Sequence, residues 1–135
     1  MNWSYIAGFF DGEGCISESA QNTDGNAFSR DLRVSMSQQR REVLDEINLF
    51  LSQCGIPSRV WHTKHPPKYP GQMFLLVVVG TKDARKFLSA IYHLLIVKRN
   101  HAEDAIRRLI IYPPIPSTVR AMLRDESRRR NAVTL

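Results

Sequence analysis

Cysteine is scarce: the chain has two, Cys15 and Cys54, in 135 residues. They lack metal-ligand spacing, and so do the four histidines, His62, His65, His93 and His101. This excludes a disulfide framework or a zinc ribbon, and leaves two reduced thiols in apolar surroundings as the expectation. Long apolar runs are also missing. The longest, Met73 to Val79, is far too short to span a bilayer, and no charged-then-apolar leader opens the chain. The expectation is an intracellular protein without a membrane segment. Acidic residues are few against basic ones, 13 against 19, which gives a net charge of +6 and a pI near 9.7. A basic balance favours a polyanionic partner, nucleic acid before membrane surface, although charge alone does not separate that from a merely basic soluble protein. Disorder is excluded by composition, with 43% hydrophobic and 24% charged residues.

What is present is a patterned α+β chain. Ser4 is placed as an N-cap of a short apolar helix through Ile6 to Phe10, which Gly12 and Gly14 would end. Cys15 to Ala20 reads as a strand, and Gln21 to Ala27, with Asp24-Gly25, as a hairpin loop. Arg30 to Ser37 alternates: Leu32, Val34 and Met36 form one face, and Arg33, Ser35 and Ser37 the other. An amphipathic helix, Arg41 to Cys54, ends where Gly55 serves as a C-cap. Strands follow at Arg59 to Lys64 and Gln72 to Val79, separated by a loop with three prolines. The second of these is almost uniformly apolar, so it belongs in the middle of a sheet. Helices then cover Asp83 to Leu95 and Lys98 to Ile111. Pro113, Pro114 and Pro116 break the chain before Ser117 caps a last basic helix to about Arg130. The order is α-β-β-α-β-β-α plus C-terminal helices, with residues 1–112 as the core and 113–135 as a proline-led basic tail.

The segment most specific to chemistry is Ile6-Ala7-Gly8-Phe9-Phe10-Asp11-Gly12-Glu13-Gly14. Gly8 and Gly12 are four apart and share one helix face, so a second helix could approach there backbone to backbone. Two copies of the helix crossing at this face would each deliver Glu13 beside a twofold axis. A hard divalent cation needs several oxygen ligands, and one carboxylate from each of two chains supplies them better than one alone. The string resembles the signature of LAGLIDADG homing endonucleases in its small pair, its apolar pair, its acid-Gly-acid-Gly close and the strand that follows at once. The resemblance runs to Lys98 and the helix after it. Only one copy of the motif is present, which corresponds to the single-motif, homodimeric type.

That resemblance implies the homing-endonuclease core, with a curved four-stranded antiparallel sheet, and hydrolysis of a phosphodiester on each DNA strand across the minor groove, leaving short 3′ overhangs. It implies Mg²⁺ or Mn²⁺ held by Glu13 and the Gly12 backbone, with Glu13 catalytic. Glu stands here where Asp is commoner. Gln38, at a strand end, would contact or orient solvent near the metal, though Gln39 stands where the family carries Lys. Lys98 matches the family's basic residue beside the site, where it would stabilise charge on the scissile phosphate. Ala7, Gly8, Asp11 and Gly12 are expected at the dimer contact, with Asp11 steadying the local turn. A roughly palindromic double-stranded target follows from a twofold protein, and no organic cofactor is implied.

Strand side chains would read the major groove: Ser17, Ser19, Arg33, Ser35, Ser37 and Arg40, with Arg59 and Trp61 as candidates on a strand whose DNA-facing side the sequence leaves open. Arg120, Arg124 and Arg128 recur every four residues and would lie along phosphates. Two other functions stay open: an RNA maturase that assists intron splicing, and a non-catalytic DNA-binding regulator on the same scaffold.

Overall fold

The computed structural model describes residues 1–23, 27–63, 72–111 and 117–133, with only the backbone for 20–23, 27–30, 111, 117, 120, 123, 127 and 133. The Asp24-Gly25 turn, Lys64, His65, the proline loop and Pro113 to Pro116 lie outside the described residues. So does the junction that would divide residues 1–112 from 113–135.

The chain runs α1 (Trp3–Glu13), β1 (Gly14–Thr23), β2 (Ala27–Gln38), α2 (Arg41–Gln53), β3 (Ser58–His62), β4 (Phe74–Val78), α3 (Thr81–Ile91), a 3-10 turn (Tyr92–Leu94), α4 (Arg99–Ile111) and α5 (Ser117–Val133). All four strands pair antiparallel in the order β1-β2-β4-β3. The apolar strand β4 is therefore internal, as its composition requires.

Several boundaries differ from the expected ones. The N-cap of α1 is Asn2, whose Oδ1 accepts the Tyr5 amide at 2.8 Å, and not Ser4. The helix also continues through Gly12, because a buried stripe of Ile6, Ala7 and Phe10 holds it against the core and outweighs the helix cost of one glycine. The first hairpin is longer than expected: Gln21 to Thr23 belong to β1, and Thr23 pairs with Ala27. Ladder hydrogen bonds overrode the polar composition of that stretch. The helix expected to reach Leu95 ends at Ile91 and tightens into the 3-10 turn.

Gly55 ends α2 as anticipated. Its φ is +75°, its amide donates to Ser52 O at 3.1 Å, and the Ile56 amide donates back to Leu51 O at 2.9 Å. This is the paired arrangement that only a left-handed residue after the helix allows, and it buries Ile56 beneath the last turn.

Alternation along the strands sorts the sheet into two faces. Ile16, Leu32, Val34, Met36, Leu76 and Val78 point inward, to Phe10, Leu44, Ile47, Phe87, Leu88 and Ile91 of the helices. The opposite face carries Cys15, Ser17 and Ser19 of β1 across from Ser35, Arg33 and Asp31 of β2. Glu18 is on the inner side, where Arg108 of α4 holds it bidentately, at 2.8 and 2.5 Å, with His101 at 3.6 Å. This pair fixes α4 to β1. Both cysteines are free and exposed, not enclosed in apolar surroundings, and Cys15 Sγ lies 3.7 Å from Ser17 Oγ on the polar face.

Candidate active site at the end of the first helix

The three glycines of the opening motif have different physical roles. A Cβ built on Gly8 or on Gly12 meets no atom within 4 Å. Both are exposed, on a face of α1 that also carries Tyr5 and Phe9, whose rings stack at 6.5 Å. That face is open. Gly14 is the opposite case: a Cβ there runs into the ring of Phe10, which is fully buried against Phe87 at 5.4 Å. Its φ of −87° suits any residue, so the constraint is space and not backbone conformation.

Glu13 is the last residue of α1, exposed, and without a hydrogen bond or ion pair among the described residues. A carboxylate at a helix C-terminus adds to the negative end of the helix dipole, so the position favours a cation. Lys98 supplies one within the chain: its Nζ donates to Asp11 O, in the last turn of α1, at 2.5 Å.

Asp11 explains how Lys98 is delivered there. Its carboxylate accepts three successive amides, Ile96 at 2.7 Å, Val97 at 3.1 Å and Lys98 at 3.0 Å. Three amides converging on one anion form a compact backbone nest. Burial by itself would raise the Asp11 carboxyl pKa, but the three amides and the nearby Lys98 charge outweigh it and hold the carboxyl below the usual carboxylate range. The end of α1 is thereby fixed to the start of α4.

Gln38 joins the same region through the sheet. Gly14 pairs with Met36, so the end of β2 lies beside the junction of α1 and β1. The Gln38 side chain is half-buried, and its Oε1 accepts the Gln39 amide at 2.8 Å. Glu13, Gln38 and Lys98, far apart in sequence, thus sit around one end of the sheet. Ala7 differs from what its place beside Gly8 suggested: it is 1% exposed and packs in the chain's own core. A helix turns 100° per residue, so neighbours in sequence face different ways.

The sequence left one feature of this region unmarked. Ile96 and Val97, just before Lys98, are 83% and 77% exposed, with Leu94 partly exposed beside them. An apolar pair between a helix end and a basic helix start was the available signal.

Of the residues expected to face DNA, Ser17, Ser19, Arg33 and Ser35 stand on the outer face of the sheet, together with Ser37. Packing separates the two sides of β3. Val60 lies against the core, and Arg59 and Trp61 point outward, opposite Val77 and Leu75. Arg40 is exposed at the start of α2. Arg124 and Arg128 are exposed on α5, while the side chain of Arg120 lies outside the described residues. No helix among the described residues is long and apolar enough to cross a membrane.

Comparison with known proteins agrees with this architecture. A search of curated proteins finds no match to the chain. Among solved structures, the homing endonuclease I-CvuI in complex with its target, in the presence of calcium, superposes with a TM-score of 0.61 at 20% identity, covering 82% of this chain and 67% of that one. The archaeal intron-encoded homing endonuclease I-Vdi141I, complexed with DNA, gives a TM-score of 0.56 at 26% identity, covering 76% of this chain and 63% of that one. The homing endonuclease I-TnaI gives 0.53 at 22% identity, covering 82% and 72%. The chain thus spans about two thirds of the length of these proteins. The LAGLIDADG-like domain family matches residues 2–109, and with that match and the shared four-stranded antiparallel fold, the chain belongs to the LAGLIDADG homing endonuclease family.

Proposed function

We propose that this chain is a site-specific double-stranded DNA endonuclease, working as a homodimer with a divalent cation, Mg²⁺ or Mn²⁺. The observation that carries the reading is the coincidence on α1 of an exposed carboxylate with no partner among the described residues (Glu13), a bare glycine face (Gly8 and Gly12) and a lysine fixed at the helix end (Lys98). The relatives solved with DNA, one of them in calcium, support it.

Tyr5 and the bare Gly8 and Gly12 leave one side of α1 uncovered, and Ile96 and Val97 are exposed next to its last turn, where Asp11 holds their amides. A twofold copy covering it would place two Glu13 carboxylates together. The donor set suits a hard cation: a carboxylate, and the Gly12 carbonyl in a last turn whose carbonyls lack helical donors. When bound, a divalent cation lowers the pKa of an attacking water and stabilises the 3′ oxygen that leaves. The residues of the chain hold and orient. Glu13 holds the cation, Gln38 orients solvent at the scissile phosphate, and the Lys98 ammonium stabilises charge accumulating on that phosphate. The outer face of the sheet, with Arg33 and Arg59, docks in the major groove, and a twofold protein reads a roughly palindromic target.

The test is cleavage of duplex DNA in Mg²⁺ by the wild type and by Glu13→Gln. Cutting should vanish in the variant while sequence-specific binding survives, because the exposed side chain makes no hydrogen bond or ion pair among the described residues. Normal cutting by the variant would remove Glu13 from the mechanism. Binding to RNA alone, without duplex cleavage, would replace the endonuclease reading with a maturase.

A further inference from the structure

The outer face of the sheet is not uniformly polar. β4 contributes Leu75 and Val77 to it, and Val79 follows immediately after the strand. Leu75 lies between Ser37 and Trp61, and Val77 between Ser35 and Arg59. None of Trp61, Leu75, Val77 and Val79 belongs to the hydrophobic cluster that the helices cover. Val77 is nearly inaccessible between its cross-strand neighbours, whereas Trp61 is 38% and Val79 46% exposed. An apolar stripe thus crosses the centre of the surface, with Arg33 and Arg59 among its neighbours.

Resting on the endonuclease reading, we propose that this stripe recognises thymine, by contact with 5-methyl groups in the major groove of double-stranded DNA. The major-groove edges of the bases offer hydrogen-bond donors and acceptors and one apolar feature, the thymine methyl. Serines and arginines on the same face match the polar edges and the phosphates; Leu75, Val79 and the Trp61 ring have only the methyl to meet. Exposed apolar groups here would otherwise leave polar base edges desolvated and unpaired, at a cost in affinity. The flanking arginines make the surface complementary to a polyanion and not to an apolar protein face. From Leu75 to Val79 the chain advances about 13 Å, at roughly 3.3 Å per residue, or about four base-pair steps. Each half-site should therefore contain thymines at two or more positions within about four base pairs.

The experiment begins with selection of bound duplexes by the full chain from a library with randomised half-sites. Deoxyuridine then replaces each selected thymidine in turn. Losing a methyl buried against Val79, Leu75 or Trp61 should weaken binding about fourfold, the equivalent of about 0.8 kcal/mol per apolar carbon. Val79→Thr keeps the shape of an exposed side chain while making it polar, and Trp61→Gln removes the ring. Each should erase the uracil penalty at its own position and leave the others intact. The inference is overturned if selected half-sites contain no such thymines, if uracil changes affinity by less than about 1.5-fold at every position, or if neither variant removes a penalty. If no duplex is enriched at all, the endonuclease reading fails and this one with it. Enrichment of duplexes without uracil sensitivity defeats only the thymine inference.

Discussion

Replacing Gly8 with alanine should move the stability of the single chain and of the dimer in opposite directions. Within one chain the new methyl group meets nothing within 4 Å, and the position is inside α1. Alanine is favoured over glycine in a helix interior by about 0.8–1.0 kcal/mol, so the fold should gain that amount. With an unfolding entropy of roughly 2.1 cal/mol/K per residue over 135 residues, the melting temperature of the dissociated chain should rise by about 3 °C. If two copies of α1 cross at this face, the same methyl enters a close-packed contact twice. Overpacking costs about 1–3 kcal/mol per site, so the dimer should lose about 2–6 kcal/mol, about thirtyfold to twenty-thousandfold in its dissociation constant. Sedimentation velocity across a dilution series reads the second quantity, and a thermal melt below the dissociation concentration reads the first. A variant that dimerises as tightly as the wild type would refute a crossing at Gly8. A variant that melts lower as a single chain would refute the open face itself.

Gly14→Ala should behave differently, because its methyl meets the immobile Phe10 ring. A loss of about 1–3 kcal/mol, or about 4–10 °C in a thermal melt, is expected, and an unchanged melting temperature would contradict it. Asp11→Ala removes the acceptor for three amides, and Ile96, Val97 and Lys98 would then be solvated only by water. Because water reaches this half-buried carboxylate, the cost should be about 2 kcal/mol, near 7 °C, and not the sum of three charged hydrogen bonds. The pH dependence has a definite sign. The native carboxyl pKa is lowered, so its contribution is complete above the unfolded carboxylate range and fades as acid titrates it in the folded state. The gap in melting temperature between wild type and variant should hold at neutral pH and close below about pH 4; a gap independent of pH would show that the charge is irrelevant.

Much of the fold is legible in the chain because the relevant signals are local. The alternation of Leu32, Val34 and Met36 and the helical spacing of Phe87, Leu88 and Ile91 each fix a buried face through period alone. Gly55 marks the end of α2 for a similarly local reason, its left-handed backbone. Element boundaries followed other rules. The continuation of α1 through Gly12 and the length of the first hairpin depended on core contacts and ladder bonds, which composition does not register. The candidate site was legible as a motif but not as a geometry. The sequence marks Asp11, Gly12 and Glu13 as one string and Lys98 as a distant basic residue. It gives no sign that the first acid ties the lysine's helix in place while the second has no partner among the described residues.

The amino-acid order by itself determined the sequence of elements, the internal position of the apolar strand and the family of the chain, because these depend on side-chain periodicity and on a short run of adjacent residue types. Tertiary structure alone decided which glycines are bare and which is wedged against an aromatic ring, that Ala7 turns into the core, that Arg59 and Trp61 face outward, and that Ile96 and Val97 stay uncovered. Those outcomes depend on what lies across space from each residue. Contacts between segments such as Asp11 and Ile96, 85 positions apart, are set by how the helices close over the sheet and not by any pattern along the chain.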